Sequence, residues 1–246
     1  MGMPKNIEII DTMIGLPSHD RREIYKFLAA DLRDEESGTF TMPAQYMFKD
    51  IPAEIDADAD PVAVTLYNMD RFGVARAMIN VGNPTRDDPA RAARTFPDRF
   101  LPCLDIDPRN GVEEIRRIRR YHDEFGLVAL TTFPAGCRTS INAAPYYPIY
   151  ATCVELDIPI FVNVGVPGPR IPLEPQKVEH LDEVCWFFPE LKVVMRHGAD
   201  KVLYAGYFPA GLTYERIMSE LPDVPLKDEV WPKFLRDNAA RVLGLD

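Results

Sequence analysis

An α/β fold of the (β/α) barrel type is predicted by three observations on this 246-residue sequence. Short apolar runs recur along the chain, mostly continuous rather than alternating, as strands buried on both faces require. Stretches with apolar residues at spacings of three and four separate most of these runs. The length suits a single domain in which seven or eight strand-helix units close on themselves.

The expected strands cover residues 7–14, 75–81, 100–106, 127–133, 159–164, 191–195 and 202–205, each ended by Gly, Pro or a polar cluster. Helices are expected at 61–72, 90–96, 110–125, 146–156, 174–188, 212–220 and 229–243. The clearest is 110–125, where Val112, Ile115, Ile118, Tyr121 and Phe125 form an apolar stripe and Gly126 is a stop signal. Residues 33–60, with Pro43, Pro52 and many carboxylates, read as a loop-like insertion within one domain of residues 1–246.

One junction breaks the pattern. The run Leu191-Lys192-Val193-Val194-Met195-Arg196-His197-Gly198 is separated from Val202-Leu203-Tyr204-Ala205-Gly206 only by Ala199, Asp200 and Lys201. Consecutive parallel strands need a crossover of a dozen or more residues. The barrel is therefore shortened here. Either it stays open, or the sixth and last runs pair as an antiparallel hairpin around His197 to Asp200, which would carry Tyr207 away from the strand ends.

The formal charge of -10 excludes nucleic acid and anionic membrane surfaces as expected partners. Arg116, Arg117, Arg119 and Arg120 are flanked by Glu113, Glu114, Asp123 and Glu124, which makes them a solvated helix face. Cys103, Cys137, Cys153 and Cys185 show no C-x-x-C pair and read as reduced thiols. With no signal pattern and no apolar run long enough to span a bilayer, a cytoplasmic protein is expected.

In barrels of this type chemistry sits beyond the strand ends. Met13 and Gly15 follow the first strand, Arg86 the second, Asp107 and Arg109 the third, and Arg138 the fourth. Asn163 and Arg170 follow the fifth, Arg196 and His197 the sixth, and Tyr207 the last. Five arginines at the same ends in an acidic protein form a potential anion clamp, since guanidinium binds carboxylate bidentately. The alternative is that each pairs with a nearby loop carboxylate. Of the other histidines, His122 and His180 read as surface residues, and His19 as the first turn of a helix capped by Ser18.

The segment Phe188-Pro189-Glu190-Leu191-Lys192-Val193-Val194-Met195-Arg196-His197-Gly198 resembles the amidohydrolase-2 family, in the branch that includes aminocarboxymuconate-semialdehyde decarboxylase. Met69-Asp70-Arg71-Phe72-Gly73-Val74, Phe96-Pro97-Asp98-Arg99-Phe100 and the stretch from Ile149-Tyr150 to Phe161-Val162 agree in order and spacing, as does the tail Asn238-Ala239-Ala240-Arg241-Val242-Leu243-Gly244-Leu245. The resemblance implies a distorted TIM barrel, hydrolase or carboxy-lyase chemistry, and a divalent metal such as zinc. That metal would be held by a His-x-His pair on the first strand, a His on the fifth and an Asp on the last.

At those positions this chain has Met13 and Gly15, Asn163, and Tyr207, which cannot serve as such ligands. No catalytic metal or other cofactor is expected. The family's sixth-strand His is matched by His197. The resemblance also implies that about one and a half strand-helix units are absent before Ala199.

Three functional readings follow. The first is a hydrolase or carboxy-lyase acting on a small carboxylated substrate. Arg138, Arg170 and Arg196 would hold carboxylates with Arg86 and Tyr207 beside them, His197 would transfer the proton, and Asn163 would donate to the developing oxyanion. The second is a non-catalytic binding or assembly subunit. The third is a deletion product of an active homologue. A homodimer could cover the opening, with Trp231, Phe234 and Leu235 as contributors or as ordinary core.

Overall fold

The computed structural model describes residues 3–4, 6–48, 51–196 and 203–245. The chain divides into two compact units, Met1–Leu101 with Lys201–Asp246, and Pro102–Asp200. All strand pairings described below are parallel.

In the first unit, β1 (Ile9–Asp11) pairs with β2 (Val74–Asn80), matching Ile10 with Arg76 and Asp11 with Ala77. Ala77 N–H donates to Arg99 O, just ahead of β3 (Phe100–Asp105). Short helices α1 (Arg21–Ile24) and α2 (Glu35–Thr39) interrupt the long loop after β1. Helix α3 (Pro61–Phe72) starts where the Asp60 carboxylate caps Val62 N–H and Pro61 needs no donor. It stops at Gly73, whose φ of 72° closes the last turn onto Met69 O. Helix α4 (Asp88–Thr95) covers the same unit.

In the second unit, β3 pairs with β4 (Ala129–Thr132), β4 with β5 (Ile160–Asn163), and β5 with β6 (Val193–Arg196). Helices α5 (Val112–Phe125), α6 (Pro134–Cys137), α7 (Tyr147–Glu155) and α8 (His180–Phe187) alternate with these strands. Within this unit strand order follows chain order, β3 to β6. The rest of the first unit comprises α9 (Tyr214–Glu220), a π-turn over Lys233–Asp237 and α10 (Asn238–Leu243).

Each unit has its own apolar interior. Met69, Val74, Ala77, Tyr214, Trp231 and Leu235 fill the first, and Leu104, Ile118, Leu130, Tyr146, Tyr150 and Ile160 the second. Trp231 and Leu235 are thus ordinary core.

Several expectations need correction. Six strands form among the described residues, not seven: residues 203–207 are irregular. Tyr204 N–H donates to Phe234 O, and Tyr204 O accepts from Thr12 N–H, so its backbone groups are not available to a hairpin partner. Tyr207 N–H then donates to Met13 O, and Gly15 N–H to Phe208 O. This segment therefore runs in the same sense as the chain leaving β1. The turn proposed around His197 to Asp200 lies outside the described residues.

The stripe on α5 holds at Ile115, Ile118, Tyr121 and Phe125 but not at its first position. Val112 points outward at 62% exposure while Glu114 is buried, its carboxylate taking Asp107 N–H, Asn110 Nδ2 and Arg117 Nη1. The expected helix 174–188 is a single 3-10 turn at Glu174–Gln176 followed by α8. His19 precedes α1 instead of opening it, and Ser18 Oγ accepts from Asp20 N–H. None of the described helices is long and apolar enough to cross a membrane.

Candidate functional site

Register assembles the candidate site in the second unit. Cα partners across parallel strands share a face, and alternate residues on one strand do too. Asp105 pairs with Thr131, Thr131 with Phe161, and Asn163 with Arg196. One face of β3 to β6 therefore carries Cys103, Asp105, Thr131, Phe161, Asn163 and Arg196. Contacts agree with this placement. Thr131 Oγ1 donates to Asp105 Oδ1, and the Arg196 guanidinium lies 5.4 Å from the Phe161 ring centre. The buried Cys103 thiol is pushed well up by burial and by the Asp105 charge, with Arg196 opposing.

The other face belongs to the helices. Leu104, Leu130 and Ile160 are fully buried, and Thr132 Oγ1 lies 2.8 Å from the buried Tyr146 hydroxyl ahead of α7. The polar face ends where the strands end. Arg196 and Asn163 are half-buried, Asp105 is exposed, and Asn163 Oδ1 is buried without a hydrogen-bond partner. Behind them, buried Gln176 ties two loops together: its Nε2 donates to Gly165 O at 2.7 Å, and its Oε1 accepts from Ala135 N–H.

The remaining strand-end residues are placed as follows. Arg138 caps α6 in the left-handed region at φ 51° and is exposed, as is Arg170 on the loop after β5. Arg109 pairs with Asp107 at 2.6 Å. Burial raises the Asp107 pKa, but hydrogen bonds from the Arg109 side chain and backbone, with its charge, outweigh this and hold the carboxyl below its ordinary value. Cys137 nearby is pushed up to about 12 by burial first and the Asp107 charge second. His197 lies outside the described residues.

Two of the expected ligand residues lie in the first unit. Arg86 donates to both Asp88 oxygens and to Leu16 O and Pro17 O at 3.0 and 2.8 Å, so its guanidinium braces its own loop. Tyr207 has a φ of 65° and stacks on Phe48 at 5.6 Å. Beside it, the fully buried Asp11 carboxylate accepts Met13 N–H at 2.9 Å and Gly206 N–H at 3.0 Å. A Cβ on Gly206 would sit 2.7 Å from Asp11 Oδ2 and 2.8 Å from the Tyr204 hydroxyl, so only glycine fits.

A cleft of about 390 Å³ opens at the N-terminal ends of β1 and β2, away from this chemistry. Its arginine, Arg99, is committed to Asp70, Val74 O and Ala75 O.

The donors present do not fit the divalent ion that the resemblance implies. Met13, Gly15, Asn163 and Tyr207 stand at the expected ligand positions, and among the described residues no group of three or more His, Cys, Asp or Glu is placed to hold a metal. Asn163 and Arg196 were legible from the sequence as strand-end polar residues. Asp105, Thr131 and Phe161 were not singled out. Their signal is alternation, since each lies two residues before a strand-end residue, Asp107, Phe133 or Asn163.

Comparison with known proteins agrees with the fold. No curated protein matches the chain in sequence. An uncharacterised TIM-barrel protein from Bordetella bronchiseptica superposes with a TM-score of 0.69 at 18% identity, covering 96% of this chain and 98% of that one. 5-Carboxyvanillate decarboxylase from Novosphingobium aromaticivorans, complexed with manganese and 4-hydroxy-3-methoxy-5-nitrobenzoic acid, gives 0.69 at 14% identity, covering 97% and 96%. 2,6-Dihydroxybenzoate decarboxylase from Rhizobium gives 0.64 at 12% identity, covering 98% and 99%. The sequence profile described as Amidohydrolase matches residues 19–202, three quarters of the chain, and the protein belongs to the amidohydrolase family.

Proposed function

We propose that the chain is a carboxy-lyase that removes a carboxyl group, as CO2, from a small carboxylated substrate. The observation that carries this reading is the Arg196 guanidinium, half-buried over Phe161 with Asn163 beside it at the ends of β5 and β6. A guanidinium held near an aromatic ring offers a planar donor fork to a carboxylate, in surroundings drier than bulk water. Two structural relatives named as decarboxylases of aromatic acids support the same reaction class.

In such a reaction the carbon–carbon bond to the carboxylate breaks, CO2 leaves, the electron pair stays on the substrate, and a proton takes the vacated position. Arg196 binds and orients the acid. Asn163 donates an amide hydrogen bond to the oxygen on which charge develops. His197, the residue after Arg196, is proposed as the proton donor because an imidazole titrates near neutrality. Arg138 and Arg170, on the loops after β4 and β5, are proposed as further carboxylate contacts.

The test is release of labelled CO2 from carboxyl-labelled 2,6-dihydroxybenzoate and 5-carboxyvanillate, with and without added manganese. Turnover should appear with at least one acid. Arg196→Met should raise KM by about tenfold or more, and His197→Ala should lower kcat. Binding of these acids without CO2 release would favour a non-catalytic subunit and sink the lyase reading.

A further inference from the structure

We propose that the first unit carries an oxyanion site of its own: a small cleft between β1, β2 and the last helix, lined by Arg76 and Arg236, that takes phosphate or the phosphoryl end of a small ester. It uses none of the residues assigned to the carboxy-lyase reaction and does not rest on that reading.

The strand pairing places the first arginine. Arg76 is the Cα partner of Ile10, so their side chains share a face. Between the pairs Ile9 with Val74 and Ile10 with Arg76 the register skips Ala75. One extra residue thus sits on β2, and such a bulge re-aims the side chains beside it. Ala75 and Arg76 both line the cleft. The turn Lys233–Asp237 and α10 pack against β1, and they supply the other wall through Arg236, Ala240 and Leu245.

Neither guanidinium is committed elsewhere. Among the described residues, half-buried Arg76 has no hydrogen bond, ion pair or ring contact. Arg236 has only Asp237 Oδ1, at 3.7 Å, beyond hydrogen-bond reach. A partly desolvated polar group without a protein partner calls for a bound water or ion. Two such cations on one cleft, in a chain of formal charge -10, call for an anion, and the guanidinium fork matches the oxygens of phosphate. Exposed Glu8 is the carboxylate side chain on the same wall and leaves one positive charge in excess. The size narrows the ligand further. The cleft offers about 40 Å³, room for about three waters at roughly 10–15 Å³ each. One tetrahedral oxyanion fills that space, whereas an aromatic acid exceeds it, so the organic part of an ester must lie outside.

The experiment is titration calorimetry on the full chain with inorganic phosphate, in a zwitterionic buffer at ionic strength held constant with potassium chloride. Saturable binding at one site per chain is expected. Arg76→Gln and Arg236→Gln should each weaken it about tenfold, the usual worth of one charge-assisted hydrogen bond. Arg196→Met should leave it as in the wild type. Absence of saturable binding, or an affinity that survives both Arg76→Gln and Arg236→Gln, would overturn the proposal. So would loss of binding in Arg196→Met alone, which would put the phosphate on the residue of the lyase reading. Phenyl phosphate separates the two sources of the ligand: its binding supports the phosphoryl end of an ester, and its exclusion beside bound phosphate supports the free ion. Should Arg76→Gln not unfold cooperatively, Arg236→Gln decides alone, and an undiminished affinity there refutes the site.

Discussion

Replacing Asp11 by alanine should destabilise the first unit by about 3 kcal/mol. The carboxylate is 0% exposed and accepts two backbone hydrogen bonds, from Met13 at 2.9 Å and from Gly206 at 3.0 Å, the second across 195 residues of chain. A hydrogen bond to a charged group is worth about 1.5–3 kcal/mol net, and removing the acceptor strands its donor. The low end applies to each bond, because alanine also removes the desolvation penalty of a buried carboxylate. Asparagine keeps an oxygen at the same place, so Asp11→Asn should cost only about 1 kcal/mol. For a chain of this size 1 kcal/mol moves Tm by about 2–4 °C, which puts the alanine variant roughly 6–12 °C below wild type. Thermal and urea unfolding followed by far-ultraviolet circular dichroism would measure both variants. An alanine variant within about 0.5 kcal/mol of wild type, or an asparagine variant as damaged as alanine, would refute the reasoning.

Other outcomes follow from the same geometry. Gly206→Ala places a methyl group against Asp11 Oδ2 and the Tyr204 hydroxyl, and should lower stability by about 1–3 kcal/mol; an unchanged melting curve would contradict that crowding. Tyr146→Phe and Thr132→Val each strand one buried hydroxyl of a 2.8 Å pair and should each cost about 1–2 kcal/mol, whereas the double variant should lose clearly less than the sum. Strict additivity in that cycle would mean the pair is not coupled. Among the four thiols only Cys185 is exposed, while burial pushes Cys137 and Cys153 up to about 12 and Cys103 higher still. A thiol reagent at pH 8 should therefore label one cysteine rapidly in the native protein and all four in urea. A second fast-reacting thiol would show that the β3–β4 region opens more readily than its packing indicates.

Local signals carried the regular elements. Helix α3 was readable to its ends because a breaker followed it at Gly73 and its periodicity had no competitor. The parallel strands were readable because strands buried on both faces need continuous apolarity whichever neighbour they meet. The same reasoning failed at Leu203 to Ala205, where apolarity did not suffice. A strand exists only where a neighbour supplies a ladder, and here Thr12 and Phe234 take the Tyr204 backbone groups in single, unrepeated bonds. It failed again on α5, since no pattern of apolar residues announces that Glu114 turns inward. Three donors, on Asp107, Asn110 and Arg117, make that burial tolerable, and two of them lie outside the helix.

The sequence by itself determined an acidic α/β chain of the amidohydrolase family, with polar residues at strand ends and without the family's metal-ligand types at the matching positions. Composition, periodicity and motif order are properties of neighbouring residues, and one chain displays them all. Only the tertiary structure decided that Asn163 and Arg196 stand side by side with Asp105, Thr131 and Phe161 on their face, that Arg86 is spent on its own loop, and that Asp11 clasps Gly206. Those outcomes depend on register and on contacts across as many as 195 residues, where a one-residue slip would turn each side chain to the opposite face.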